Sequence, residues 1–194
     1  MFNDTQDREW LTRMAAGDTR GFEAFYAQYA PAVGAFLFRI VQNRELAEET
    51  LQEVFFRFWK SASTWRGECK VSTYLFQIAR NAALDARNRG KRDRALGSGA
   101  EAGENTTPLA EAVSREDAPS QHMEGQELRA LVRKAVEALP EEQRLIVHLA
   151  QVEGLTFREI AEILQTPVST VKSRMAVAAD TLRRKLSRHV KAES

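Results

Sequence analysis

Residues 156–186 read TFREIAEILQTPVSTVKSRMAVAADTLRRKL, and the folding of this stretch decides the class of the chain. Thr156 and Glu159 have the T-x-x-E spacing of a capping box, in which each side chain satisfies the other residue's free backbone N–H at a helix start. A short helix follows, Gln165, Thr166 and Pro167 make a tight turn, and a long final helix starts at Val168. The short helix packs through Ile160, Ala161 and Leu164, and the small Ala161 allows close approach to the next helix. That second helix buries Val168, Val171, Met175, Ala178 and Leu182 and turns Ser169, Thr170, Lys172, Ser173, Ala176 and Val177 outward. The pattern is a helix-turn-helix, with small polar and basic side chains that suit base edges and phosphates in a major groove. Antiparallel helices with a short turn also occur in proteins that never touch DNA, so charge must decide.

The whole chain is nearly neutral, with 28 Lys+Arg against 27 Asp+Glu, but the charge is unevenly spread. Residues 168–191 carry seven basic side chains (Lys172, Arg174, Arg183, Arg184, Lys185, Arg188, Lys191) against Asp180 alone. A net +6 on one helix is the electrostatic footprint expected for phosphates. Residues 95–127 carry Arg115 against seven acids and are rich in Gly, Ala, Ser, Thr, Pro and Glu without an apolar period. This reads as a flexible acidic linker, either a plain spacer or an occupant of a basic channel in a partner. Before the helix-turn-helix, Leu128, Leu131, Val132, Ala135, Val136 and Leu139 mark an amphipathic helix ending ahead of Pro140. Pro140 opens a further helix that Gly154 stops, within which His148 reads as a surface or packing histidine.

In the N-terminal half, Phe22, Phe25, Tyr26, Tyr29, Val33, Phe36, Leu37 and Ile40 form one apolar stripe after Asp18, an N-cap candidate. Pro31 is expected to kink or divide that helix. A second helix, capped by Asn43, buries Leu51, Val54, Phe55, Phe58 and Trp59, which lie within about 140° around its axis. Its opposite side gathers Glu45, Glu49, Gln52 and Glu53 around Phe56. An aromatic ringed by carboxylates is either covered by a neighbouring helix or anchors an interface with a basic partner. A loop with Trp65, Arg66, Gly67 and Lys70 leads to a helix that Ser72 could cap, with Leu75, Ile78, Ala79 and Ala82 inward. On its surface Arg80, Arg87 and Lys91 fall within about 40° of one another and lead into Arg89, Arg92 and Arg94. Such a line suits a phosphate backbone, although basic residues near a helix end also complement its dipole.

Composition narrows the alternatives. The 194 residues, 43% of them hydrophobic, suit two small globular domains. Cys69 cannot pair internally and His122, His148 and His189 stand apart, so neither a disulfide framework nor a Cys/His zinc site is expected, and a reducing cytoplasm fits. The start, MFNDTQDREW, is polar and acidic, unlike an export signal, and no apolar run approaches the ~18 residues needed to cross a bilayer. No Gly-rich phosphate loop is present, and Cys69 has no sequence-evident His or Asp partner, which argues against an enzyme.

With these residues in place the chain resembles, nearly end to end, the extracytoplasmic-function (ECF) bacterial sigma factors, two-domain promoter-recognition subunits of RNA polymerase. ELAEETLQEVFFRFW resembles the family's polymerase-clamp-binding helix, and FQIARNAALDARNRGKR its promoter-melting and minus-ten segment. EALPEEQRLIVHLAQVEGLTFREIAEILQTPVSTVKSR resembles its minus-thirty-five reader. The resemblance implies an all-α fold: an N-terminal domain over 1–94, a linker over 95–124 that threads the RNA exit channel, and a helix-turn-helix domain over 125–194. It implies polymerase binding by Glu45, Glu49, Gln52, Glu53 and Phe56 on a coiled coil of the largest subunit. Trp65, Arg66 and Lys70, in a loop that holds a flipped non-template base, would act with Arg80, Asn81, Arg87 and Lys91 at the minus-ten element. Ser169, Thr170, Lys172, Ser173, Arg174, Arg183 and Arg184 would read the minus-thirty-five element.

The implied partners are core RNA polymerase, promoter DNA and, as often in the family, an anti-sigma factor, with no cofactor and no catalysis. Two departures stand out. Met175, Ala176, Val177, Ala178 and Ala179 replace the usual basic continuation, implying fewer phosphate contacts, and Gln165 stands where glycine is frequent, at a cost on the order of 1 kcal/mol if the turn is left-handed. The competing reading is a free-standing LuxR-like helix-turn-helix regulator with a helical sensor domain, which would bind DNA tightly unaided.

Overall fold

The chain, described by a computed structural model over residues 3–95 and 122–192, is helical, and among these residues there is no strand. Four helices, α1 (Asp4–Ala15), α2 (Thr19–Val41), α3 (Arg44–Ser61) and α4 (Val71–Ala95), build one compact unit. A second unit is built around α5 (His122–Glu137), α6 (Glu141–Gln151), α7 (Phe157–Leu164) and α8 (Val168–Ala192). The bulk of the expected acidic linker, residues 96–121, lies outside the described residues; α5 begins within its last three positions.

Local chemistry sets most of the helix starts in the first unit. The side chain of Asn3 accepts from the Thr5 N–H, that of Asp18 from Arg20 N–H at 2.9 Å, and that of Asn43 from Leu46 N–H at 2.8 Å. Each satisfies a donor that the helix leaves open. Helix α4 differs from expectation: it starts at Val71, so Ser72 is inside the helix and buried. Its cap comes from α1, whose Asp4 Oδ1 accepts the Val71 N–H at 3.3 Å.

Aromatic packing holds this unit together. Phe25 stacks on Phe58 with centroids 4.6 Å apart and on Tyr29 at 4.4 Å, while Phe36 meets Phe76 edge-on at 5.3 Å. Each fully buried ring contributes about 1.5–3 kcal/mol through burial alone. Where α1 crosses α2, Gly21 is buried, and a Cβ there would sit 2.8 Å from Arg13 Cβ, so only glycine permits the approach.

Two expectations for α2 are corrected. Of the kink or division expected at Pro31, the division is absent: the helix runs unbroken through it. The ring lies on the solvent side, while Tyr29, Val33, Phe36 and Leu37 on the other side are buried, so packing outweighs the missing amide. Tyr26, assigned to the core stripe, is 38% exposed and leans on Phe55 at 4.6 Å and on Phe22 at 6.0 Å.

In the second unit, α7 opens with the expected capping box: Thr156 N–H donates to Glu159 Oε2 at 2.7 Å and Glu159 N–H to Thr156 Oγ1 at 3.3 Å. The turn after α7 places Gln165 at φ +50°, the left-handed conformation, and Thr166 N–H closes back on the Ala161 carbonyl at 3.0 Å. Leu139, Val147 and Ala178 form a buried cluster with Met175 and Leu182 packed against it. Val168 and Val132, both expected inward, are 37% and 38% exposed. Val168 is the first residue of α8, ahead of the turn that packs, and α5 buries Ala135 one turn further along. His148 is buried, with Nε2 3.2 Å from Glu153 Oε1.

Candidate functional site

Three surfaces carry the residues singled out by the sequence. The first is the outer face of α3. Its inner face buries Ala47, Val54, Phe55 and Phe58, which forces Phe56 outward, where it is 59% exposed with the Lys60 ammonium 4.3 Å from its ring centroid. The question left open by the periodicity is thereby answered: no helix among the described residues covers Phe56. Glu45, Glu49 and Gln52 are exposed. Glu53 is different, because it is half-buried and held by Arg57 at 2.5 Å and by Arg89 of α4 at 3.6 Å. Three of the four polar side chains therefore form an open rim, and the fourth ties α3 to α4.

The second surface runs from the α3–α4 loop along α4. Trp65 is half-buried, Arg66 and Lys70 are exposed, and Gly67 adopts φ +75° beside the Trp65 ring. The Arg8 guanidinium of α1 lies over Trp65, 4.9 Å from the ring centroid. Arg8 is in turn held by Asp4 at 2.8 Å. The sequence reading missed Arg8; its only local signal is the i,i+4 spacing of opposite charges Asp4 and Arg8, which says nothing about Trp65.

Along α4, Leu75, Phe76, Ala79, Ala82, Ala83 and Ala86 are buried, leaving Asn81, Arg89, Lys91 and Arg92 exposed and Arg80 and Arg87 half-buried. Arg80 donates to Asn81 Oδ1 at 3.5 Å, and burial draws its guanidinium below the ordinary arginine range. The basic line is present, but Arg89 spends part of its charge on Glu53, and the side chain of Arg94 lies outside the described residues.

The third surface is the start of α8. Val171 is fully buried, Ser169, Lys172 and Ser173 are exposed, and Thr170 is half-exposed. Ser173 donates to the Thr170 carbonyl at 3.0 Å, a local bond that leaves its oxygen available as an acceptor. Arg174 does not stand free: it pairs with Glu142 of α6 at 2.6 Å. Arg183 and Arg184 share Asp180 at 3.9 and 3.1 Å. Between them Ala176 and Val177 are exposed, Val177 to 52%, so the middle of this face is apolar. The side chains of Arg188 and Lys191 lie outside the described residues.

The first unit also holds a buried ionisable group that the sequence did not flag. Asp7 of α1 accepts from the Tyr29 hydroxyl at 2.6 Å and is almost fully buried. Desolvation pushes its carboxyl up to about 6, against the opposing pull of the Tyr29 hydrogen bond, and the same burial raises the Tyr29 phenol well above its ordinary value. No helix among the described residues is long and apolar enough to cross a membrane.

Comparison with known proteins adds a family context. Residues 25–93 match the family model of Sigma-70 region 2, and residues 129–182 match that of Sigma-70 region 4. The chain is 30% identical over 186 residues to the RNA polymerase sigma-H factor of Pseudomonas aeruginosa, covering 94% of each chain. It is also 30% identical over 190 residues to the ECF RNA polymerase sigma-E factor of Haemophilus influenzae, covering 96% of this chain and 98% of that one. Among solved structures, CnrH in complex with the cytosolic domain of CnrY superposes with a TM-score of 0.60 at 18% identity, over 97% of this chain and 99% of that one. The sigma factor RpoE of Bartonella quintana, in complex with the anti-sigma factor NepR, superposes with a TM-score of 0.58 at 23% identity, over 86% and 96%. The half that would be the sensor of a free-standing regulator is thus the half that matches region 2, and that reading is not favoured.

Proposed function

The chain belongs to the extracytoplasmic-function sigma factors, which direct bacterial RNA polymerase to initiate transcription at particular promoters, and from that premise we propose how its surfaces divide the work. The outer face of α3 docks on core polymerase. Phe56 is the apolar anchor, Glu45, Glu49 and Gln52 are a rim that selects a basic partner, and Glu53 exchanges Arg57 and Arg89 for a partner cation on docking. The observation that carries this reading is the exposure of Phe56 on a helix whose other face buries Ala47, Val54, Phe55 and Phe58.

Residues 1–94, 95–124 and 125–194 serve as the promoter-melting domain, a tether and the upstream-element domain. The loop with Trp65, Arg66 and Lys70 receives an extruded non-template base, while Arg80, Asn81, Arg87 and Lys91 follow the backbone. Extrusion costs a few kcal/mol, and stacking at ~1–3 kcal/mol per base with backbone contacts can offset it. Ser169, Thr170, Lys172 and Ser173 face the groove of the minus-thirty-five element, supported by Arg174, Arg183 and Arg184 on phosphates. Lys172 is the one of these cations exposed without an ion pair among the described residues, which makes it the first phosphate contact.

No step in this mechanism is catalysed by the chain, and none needs a cofactor; it acts in the cytoplasm with polymerase. The RpoE of Bartonella quintana was solved with an anti-sigma factor, and an anti-sigma protein is a further partner proposed for this chain. Run-off transcription with core polymerase, with and without the chain, tests the whole reading. Specific initiation is expected only when both are present, with weak DNA binding by the free chain. Tight sequence-specific binding by the free chain, with no polymerase dependence, overturns it.

A further inference from the structure

We propose that Arg8 is a positioning residue of the promoter-opening site, holding the Trp65 ring in the orientation that receives a base. This rests on the reading of the α3–α4 loop as the single-strand site and extends that site to α1, which lies outside the region 2 match at residues 25–93. Three independent contacts converge. The Arg8 guanidinium lies 4.9 Å from the Trp65 centroid, within the range of an attractive cation–π contact. Its Nη1 also packs at the turn of the loop, 3.4 Å from where a Cβ on the left-handed Gly67 would stand, an ordinary packing distance. Asp4 fixes Arg8 from below through a 2.8 Å ion pair, and the other oxygen of Asp4 takes the Val71 N–H that starts α4.

These contacts join α1, the loop and the first turn of α4 into one clamp. A loop of this length without regular structure would let Trp65 sample many rotamers, and ordering a side chain at the moment of base capture has an entropic cost. A guanidinium plane on one side of the indole removes that freedom beforehand and leaves the remaining ring surface for the nucleobase. Arg8 therefore touches neither base nor phosphate in this scheme; it acts through Trp65.

The test uses holoenzyme reconstituted from core polymerase and the full-length chain, on a promoter that the wild type opens, with opening read by permanganate reactivity of unpaired thymines. Four variants are compared: Arg8→Ala, Arg8→Lys, Trp65→Ala and the double Arg8→Ala/Trp65→Ala. Arg8→Ala is expected to slow opening about three- to tenfold, the scale of a lost cation–π contact, and Arg8→Lys to restore most of it. In the Trp65→Ala background, Arg8→Ala should add nothing further, because the pair acts as a unit. In the free chain labelled with 5-fluorotryptophan, Arg8→Ala should move the Trp65 fluorine resonance and leave those of Trp10 and Trp59 in place. Equal slowing in both backgrounds, or an unmoved Trp65 resonance, overturns the proposal while leaving the loop reading intact. If Trp65→Ala itself opens the promoter at the wild-type rate, the loop reading falls and the proposal with it.

Discussion

Replacing Phe56 by alanine separates a docking anchor from a stray surface ring. A phenylalanine offers roughly 200 Å², and with 59% of it exposed about 120 Å² is open to a partner. Covering all of that at ~25 cal/mol per Å² contributes about 3 kcal/mol. The Lys60 ammonium over the ring already shields part of it, so the share available to binding is nearer ~2 kcal/mol, or about 30-fold in Kd. Removal costs the free chain little: the cation–π contact with Lys60 is worth about 0.5–1 kcal/mol at an exposed site. A covered ring would instead cost about 3–5 kcal/mol of stability. Fluorescence anisotropy of the labelled chain titrated with core polymerase gives the first quantity, and a thermal melt of the free chain gives the second. A Kd within twofold of wild type, with the melt unchanged, would falsify the assignment of α3 as the docking face.

Three further outcomes follow from named contacts. The folded state holds the Asp7 proton more tightly than the unfolded chain, so stability present below pH 3.8 is lost as pH rises through about 6, to the extent of about 3 kcal/mol. Asp7→Asn, whose amide oxygen can still accept from Tyr29, should therefore raise the melting temperature at pH 8 and leave it nearly unchanged at pH 4; a pH-independent shift would contradict the buried-carboxylate account. Gln165→Gly should stabilise the second unit by roughly 1 kcal/mol, raising its melting midpoint by ~4–8 °C, since glycine adopts φ +50° without strain. Arg174 pairs with Glu142 at 2.6 Å in the free chain, and if it exchanges that partner for phosphate on binding, Arg174→Gln should make the salt slope of holoenzyme binding to promoter DNA shallower by about one unit; an unaltered slope means that Arg174 does not reach phosphate.

What could be read from the sequence was what depends on neighbours along the chain. Asp18, Asn43 and the Thr156–Glu159 box act within three residues of themselves, and each forms the expected bonds. The periodicity of α3 also placed Phe56 on the outside, because its angle from Phe55 and Phe58 is set by the helix pitch. What escaped was set across the fold. The cap of α4 comes from a residue 67 positions away, the lock on Arg174 from a different helix, and the cover of Trp65 from α1. At Pro31 the division that local chemistry allows is absent for the same reason, since a packed face holds the helix together. Val132 and Val168 were apolar at helical spacing, yet the spacing does not say where along a helix its packing partner ends.

Asp4 grips both the arginine that lies over Trp65 and the amide that begins α4. Sample handling inherits a consequence: proteolytic loss of Asp4 would release the Arg8 side chain and the start of α4 together. A preparation that loads onto polymerase normally but opens DNA sluggishly should be checked by mass spectrometry for the peptide that carries Asp4 before any other defect is sought.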